Sequence, residues 1–186
     1  MPNRKATLLL DHLKPIEAQI VLTELLEAHP SLRPEAEQIA RSQIADVALE
    51  AVAEEVEEAL RALDLTDLHG RAGRHALGYT EPGEAAWELI EETLDPFFEE
   101  LRRQLAIDAD AAESCQGIVL GLYRLEQAKD WELGEWALDA LPEMAGEAVD
   151  RLRKGLAGVK KLGPPTLPEE FLADRVPEWK SWLLKL

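Results

Sequence analysis

Cysteine is nearly missing from this sequence. Cys115 is the only one, so no internal disulfide can brace the chain and its fold must be held by packing. Aromatic residues are scarce as well, with three Phe, two Tyr and five Trp in 186 residues. No run of Val, Ile, Thr or aromatic residues alternates in the strand manner between turn residues, which argues against a sheet-based core. Long apolar stretches are also lacking. The longest in the body, Gly117 to Tyr123, falls far below the roughly 20 residues that a membrane helix needs. The short Leu8-Leu9-Leu10 run cannot serve as a secretory leader core, so a cytoplasmic location without membrane attachment is expected.

Several chemical signatures are absent too. No phosphate-cradling glycine motif ending in Lys-Ser or Lys-Thr occurs, and Gly70, Gly73 and Gly78 neither match dinucleotide spacing nor follow a strand pattern, which disfavours nucleotide enzymes. His-Glu-x-x-His and Glu-x-x-His pairs are missing. No dedicated metal site, cofactor or catalytic residue is therefore expected.

What is present is Leu, Ala and Glu in abundance, the composition of a chain built from helices. The net charge is −17, and it is unevenly spread. Residues 1–150 carry 33 acids against 12 bases, whereas residues 151–186 carry 4 acids against 8 bases. A body this acidic repels phosphate backbones, so direct nucleic-acid binding is not expected. Such a face can recruit a basic protein or imitate a nucleic acid, although the simplest use of a charge run is to stay solvated.

Apolar spacing predicts the helices. Pro15 opens the first, with Ile16, Ile20, Val21, Leu25 and Leu26 recurring at steps near 3.6, and it stops near Ala28. After the His29–Pro34 connection, Ala36, Ile39, Ala40, Ile44 and Val47 trace a second, forming a helical hairpin. The third has the cleanest pattern: Leu49, Val52, Val56, Leu60 and Leu63 on one side, Glu50, Glu54, Glu55, Glu57 and Glu58 on the other. A fourth runs from about Gly83 to Leu105, and Pro96 within it predicts a bend near Asp95 or a restart with Asp95 as N-cap. The fifth starts at Asp108 or Asp110 and buries Cys115, Ile118, Val119 and Leu122; Gly117 and Gly121, one turn apart, invite the close approach of another backbone. Trp131, Trp136, Leu138 and Leu141 suggest a sixth, ending before Pro142. Met144, Ala148, Val149, Leu152 and Leu156 give a seventh, closed by Gly155 or Gly158.

The expected fold is all-α: an irregular array of about seven antiparallel helices, superhelical or bundle-like, with a C-terminal arm. Residues 1–158 form the helical body. Residues 159–186 comprise a Lys160–Pro165 linker and an apolar arm, which packs on the body or on a second chain through Phe171, Trp179, Trp182 and Leu183.

Gly73-Arg74-His75, Gly78-Tyr79-Thr80-Glu81-Pro82, Ala85-Ala86-Trp87-Glu88-Leu89 and the Gly117–Tyr123 stretch resemble segments of prokaryotic all-helical proteins of uncharacterised activity. Successive short helices also resemble the α-solenoids of tetratricopeptide and HEAT type, whose stacked hairpins present a groove to peptides. The likeness implies a helical fold and transfers no catalytic residue. Leu120-Gly121-Leu122-Tyr123 has tetratricopeptide letters at the wrong spacing, and no internal period is found.

One segment breaks the acidic rule. His69 to Thr80 holds twelve residues without a carboxylate, between ten acids from Glu35 to Asp67 and eight from Glu81 to Glu100. Two readings stay open. Arg71 and Arg74 can reach back to carboxylates on the flanking helices as an electrostatic clasp, or Arg71, Arg74, His75 and Tyr79 can form a patch that captures an acidic peptide or small anion. The clasp is the stronger. His69 and His75 with Asp67 or Glu81 could hold only an adventitious zinc, and Glu84, Glu88 and Glu91 would act as acid and base only in a desolvated cleft. Cys115, on an apolar face without cationic neighbours, reads as a buried structural thiol.

Taken together, these features lead to the expectation of a non-enzymatic protein-interaction or scaffold module with an acidic surface, acting on an unknown protein partner or as a homodimer. The alternative is an anion- or small-molecule-binding protein, an enzyme included, with its site at residues 69–80. An acidic nucleic-acid mimic is the third.

Overall fold

The computed structural model describes residues 9–45, 48–75, 78–106, 111–128, 130–137, 139–156 and 167–186. The chain divides into two compact units, Met1–Gln43 and Ile44–Leu186. Each is described by itself.

The first unit holds a 3₁₀ turn, Leu9–His12, then α1 (Pro15–Ala28), a second 3₁₀ turn, Pro30–Leu32, and the start of α2 (Arg33–Ala45). Pro15 sits at the first helical position, where its missing N–H costs nothing. The Lys14 backbone N–H donates to Glu17 Oε2 at 2.9 Å, which ties the first turn down. At the other end His29 leaves helical geometry with φ −131° and ψ 72°, and Pro30 follows. The break is where the periodicity predicts it.

The second unit contains α3 (Leu49–Arg61), α4 (Leu65–Arg71), β1 (Gly73–His75), β2 (Gly78–Thr80), α5 (Pro82–Ala106) and α6 (Ala111–Gln127). A 3₁₀ turn at Glu132–Glu135 leads to α7 (Ala140–Leu156), α8 (Glu169–Arg175) and α9 (Pro177–Leu183). The class is all-α, with a two-stranded ribbon as the only sheet among the described residues. α3 lies along α6, α6 and α5 both pack on α7, and α4 packs on α5. Their shared core is aliphatic: Val56 and Leu60, Ile90, Leu94 and Leu101, Ile118, Leu122 and Leu125, Val149 and Leu152 are buried, with Phe98 among them. Each such side chain removed from water contributes about 1.5–3 kcal/mol before conformational entropy is set against it.

Small residues let α3 and α6 approach closely. A Cβ at Gly117 would lie 2.6 Å from Val52 Cβ, and one at Gly121 only 2.6 Å from the Ala53 carbonyl oxygen. Only glycine fits at both positions without moving a neighbour.

The structure departs from the sequence expectations in four places. Nine α-helices occur among the described residues rather than about seven, because α4 fills part of the connection after α3 and the C-terminal segment forms α8 and α9. Pro96 does not restart a helix with Asp95 as its N-cap: α5 runs through it as one element. Proline removes one hydrogen bond there, yet Leu94, Phe98 and Leu101 are buried on both sides of it, and that packing offsets a single lost bond. The expected sixth helix is only the Glu132–Glu135 3₁₀ turn; Pro142 falls in the first turn of α7 instead of closing the helix before it. Gly155 lies within α7 rather than beyond its end. The expected start of α6 at Asp108 or Asp110, the Gly158 stop and the Lys160–Pro165 linker lie outside the described residues.

The arm residues are covered within the second unit. Phe171, Trp179 and Leu183 are buried and Trp182 is partly so. The Trp179 ring meets Tyr123 of α6 edge-on, centroids 5.3 Å apart at 80°, an arrangement the ring quadrupoles favour. Glu50 at the start of α3 accepts from Arg124 at 2.6 Å and Arg175 at 2.5 Å, linking α3, α6 and α8. Those two guanidiniums, Arg175 first, hold the Glu50 carboxyl below the usual glutamate range.

Candidate functional site

The described part of the carboxylate-free segment is built from α4, β1 and β2. Asp64 caps α4: its Oδ1 accepts from the Thr66 and Asp67 backbone N–H groups at 2.6 and 3.0 Å, while Asp67 Oδ2 accepts from the Asp64 N–H at 3.0 Å. Reciprocal bonding of this kind satisfies donors that a helix start leaves open. The helix therefore takes in His69, Gly70 and Arg71. β1 and β2 follow as an antiparallel pair in the register Gly73 to Thr80, Arg74 to Tyr79 and His75 to Gly78. Gly73 and Gly78 have φ of +104° and +147°, a region that side chains rarely tolerate.

Of the four residues named from sequence, the structure brings two together. Arg74 and Tyr79 stand directly opposite across the ribbon, so their side chains project on the same side of it. Both are exposed, Tyr79 at 61%, and Arg74 makes no ion pair among the described residues. Arg71 is elsewhere. It forks onto Glu92 of α5, with one guanidinium nitrogen 2.7 Å from Oε1 and the other bonded to Oε2, and Glu88 one turn back lies at 3.8 Å. This bidentate pairing holds the Glu92 carboxyl below its ordinary range and raises Arg71. The side chain of His75 lies outside the described residues.

Among the described residues the clasp is thus made by Arg71, and the described part of the patch is Arg74 and Tyr79. Glu88, from the carboxylate series on α5, serves the clasp. Among the described residues no group of three His, Cys, Asp or Glu converges to hold a metal ion. Cys115 is fully buried, and burial pushes its thiol up to about 12. At neutral pH it is neutral and shielded.

A second candidate surface lies on the first unit. The periodic apolar side chains of α1 are not covered: Ile16 is 62% and Ile20 52% exposed, with Val21, Leu22 and Leu25 also open to solvent. α1 has no buried residue at all. Between α1 and α2 runs a groove of about 320 Å³, with Leu22, Leu26, Ala36 and Ala40 among its walls. Periodicity locates such a helix correctly but carries no information about what covers it. The missed signal was in α1 itself, where apolar residues occur on more than one side, a pattern that marks a helix needing cover all round.

No family model matches this chain, and comparison with curated proteins and with solved structures likewise gives no match. No helix among the described residues is long and apolar enough to cross a membrane.

Proposed function

We propose that this protein is a non-enzymatic interaction module that pairs with a second copy of itself through its N-terminal helices and offers an acidic surface to a further partner. The observation that carries this reading is the exposed apolar α1. A unit of about 40 residues cannot bury a sufficient core alone and is ordinarily completed by disulfides, metals or oligomerisation. This unit contains no cysteine, which leaves oligomerisation as the economical solution. Two copies of α1 and α2, each laying a helix in the other's groove, give a four-helix bundle with an isologous interface.

Light scattering coupled to size exclusion tests this on the full chain. The expected mass is twice 20.7 kDa, with Ile20→Glu and Leu25→Glu each returning it to the monomer while helical circular dichroism is kept. A wild-type monomer at micromolar concentration, or a dimer indifferent to both substitutions, would refute it.

A second reading rests on Arg74 and Tyr79. Facing one another on an exposed ribbon, they suit capture of an acidic peptide or small anion, with cation and ring side by side. Arg74→Ala would abolish such binding and leave dimerisation intact.

A further inference from the structure

Where α3, α5 and α6 meet in the second unit, a cavity of about 500 Å³ opens to the surface. That volume lies within the range of small-ligand sites. Its walls are largely apolar, with Val52, Pro96, Phe97 and Ile118 among them. Four polar side chains also line it: Glu55, Glu100, Gln104 and Ser114. Among the described residues, Gln104 and Ser114 are the two buried polar residues of the core.

Their hydrogen bonding is incomplete. Gln104 Nε2 donates to Glu100 Oε1 at 3.2 Å. A carboxylate only accepts, so this bond fixes which end of the amide is nitrogen. Among the described residues Gln104 Oε1 is then left buried with no donor, and Ser114 Oγ is likewise buried without a partner. Native cores seldom leave such atoms unanswered, and a specific exception calls for an explanation. Glu100 stays ionised because Arg103 holds its carboxyl below the ordinary range. Glu55 is exposed at the rim and makes no ion pair among the described residues. Gln104 Oε1, Ser114 Oγ and the two carboxylates can each accept a hydrogen bond and two of these groups carry negative charge, whereas the donors are the Ser114 hydroxyl and the Gln104 amide, one of whose two N–H groups is already given to Glu100. The complementary ligand therefore supplies donors and positive charge at one end and an apolar body at the other.

We propose that this cavity binds a small amphipathic amine, whose ammonium donates to Gln104 Oε1 and Ser114 Oγ beside the Glu55 and Glu100 carboxylates, and whose apolar body rests on Phe97, Val52 and Ile118. The site lies wholly within the second unit and does not depend on pairing through α1.

Three probes of one shape separate the alternatives: phenethylamine, 2-phenylethanol and phenylacetate, each titrated into the full-length protein by calorimetry and by nuclear magnetic resonance of the Gln104 side-chain amide. The amine is expected to bind in the millimolar range or tighter and to shift the Gln104 amide, the alcohol to bind more weakly, and the carboxylate not at all. Ser114→Ala removes one oxygen and Gln104→Leu keeps the volume while deleting the orphan acceptor; each should weaken the amine about tenfold, as loss of one charge-assisted hydrogen bond implies. Melting temperatures of both variants are measured alongside, to establish that they are folded. Equal binding of amine and alcohol would mean an apolar cleft without recognition. Failure of all three probes, or undiminished amine binding by both folded variants, would overturn the proposal as well.

Discussion

Replacing Gly121 with Ala sets two opposed effects against each other. Alanine in a helix interior gains about 0.5–1 kcal/mol over glycine from backbone entropy. At this position the new methyl would lie 2.6 Å from the Ala53 carbonyl oxygen and 2.9 Å from Val56 Cβ. Ordinary contact begins near 3.4 Å, so α3 must retreat by roughly 0.8 Å from α6. The obstacle is backbone, which no rotamer change can remove. Overpacking of this kind costs about 1–3 kcal/mol, so the net expectation is a loss of roughly 1–2 kcal/mol and a melting temperature lowered by about 3–6 °C. All five Trp belong to the second unit, so denaturant unfolding followed by Trp fluorescence reports on the right part of the chain. Gly70→Ala is the control. It lies inside α4 with nothing within 4 Å of the new methyl, and should stabilise by up to about 1 kcal/mol. Combining Gly117→Ala with Gly121→Ala should cost less than the sum, because one retreat of α3 relieves both clashes. If Gly121→Ala stabilised the protein as Gly70→Ala does, the close packing of α3 on α6 would be refuted.

Two further outcomes follow from the buried and paired groups. Cys115, its thiol pushed up to about 12 by burial, should resist thiol reagents at pH 8 in the native protein and react at a rate that follows global unfolding; rapid native labelling would contradict its placement. Glu50 has a folded-state pKa depressed from the ordinary 4.5, so its contribution is present above that value and fades as the pH falls through the folded value. The stability gap between wild type and Glu50→Gln should therefore be constant near neutrality and shrink below pH 4.5. A gap that persists unchanged in acid would show that the ion pairs with Arg124 and Arg175 do not cause it.

The helical class and most long helices were legible because burying one face enforces a repeat of 3.6, and α3, α5, α6 and α7 each display it over three turns or more. Shorter elements escaped for physical reasons. α4 spans Leu65–Arg71, too few residues for a period to emerge and with a glycine inside; the Asp64-x-x-Asp67 capping pattern was its only local mark. The ribbon depends on positive φ at Gly73 and Gly78, and glycines announce that freedom without saying how it is used. Arg71 could be assigned to a clasp from charge alone, but its partner at Glu92 rather than on α3 required tertiary placement. The cavity at Gln104 left a faint trace: a glutamine within the apolar rows of α5, in register with Phe97 and Leu101. Such a residue reads as a tolerated exception until its oxygen is seen to lack a donor.

The bond from Glu50 to Arg175 joins residues 125 apart in the sequence, and the ring contact of Trp179 with Tyr123 closes the same seam. A chain synthesised only as far as Leu156 already contains α1 to α7, yet it leaves Tyr123 without its ring partner and Arg124 as the sole cation on Glu50. Contacts so distant in sequence impose a loop-closure cost that local helix formation does not. The second unit should therefore mature in two kinetic stages: rapid assembly of α3, α5, α6 and α7, then a slower latching step that protects the amide protons of α6 only when residues 167–186 have docked. For a cell, the interval between those stages is the window in which a chaperone or protease would meet this protein with its seam open.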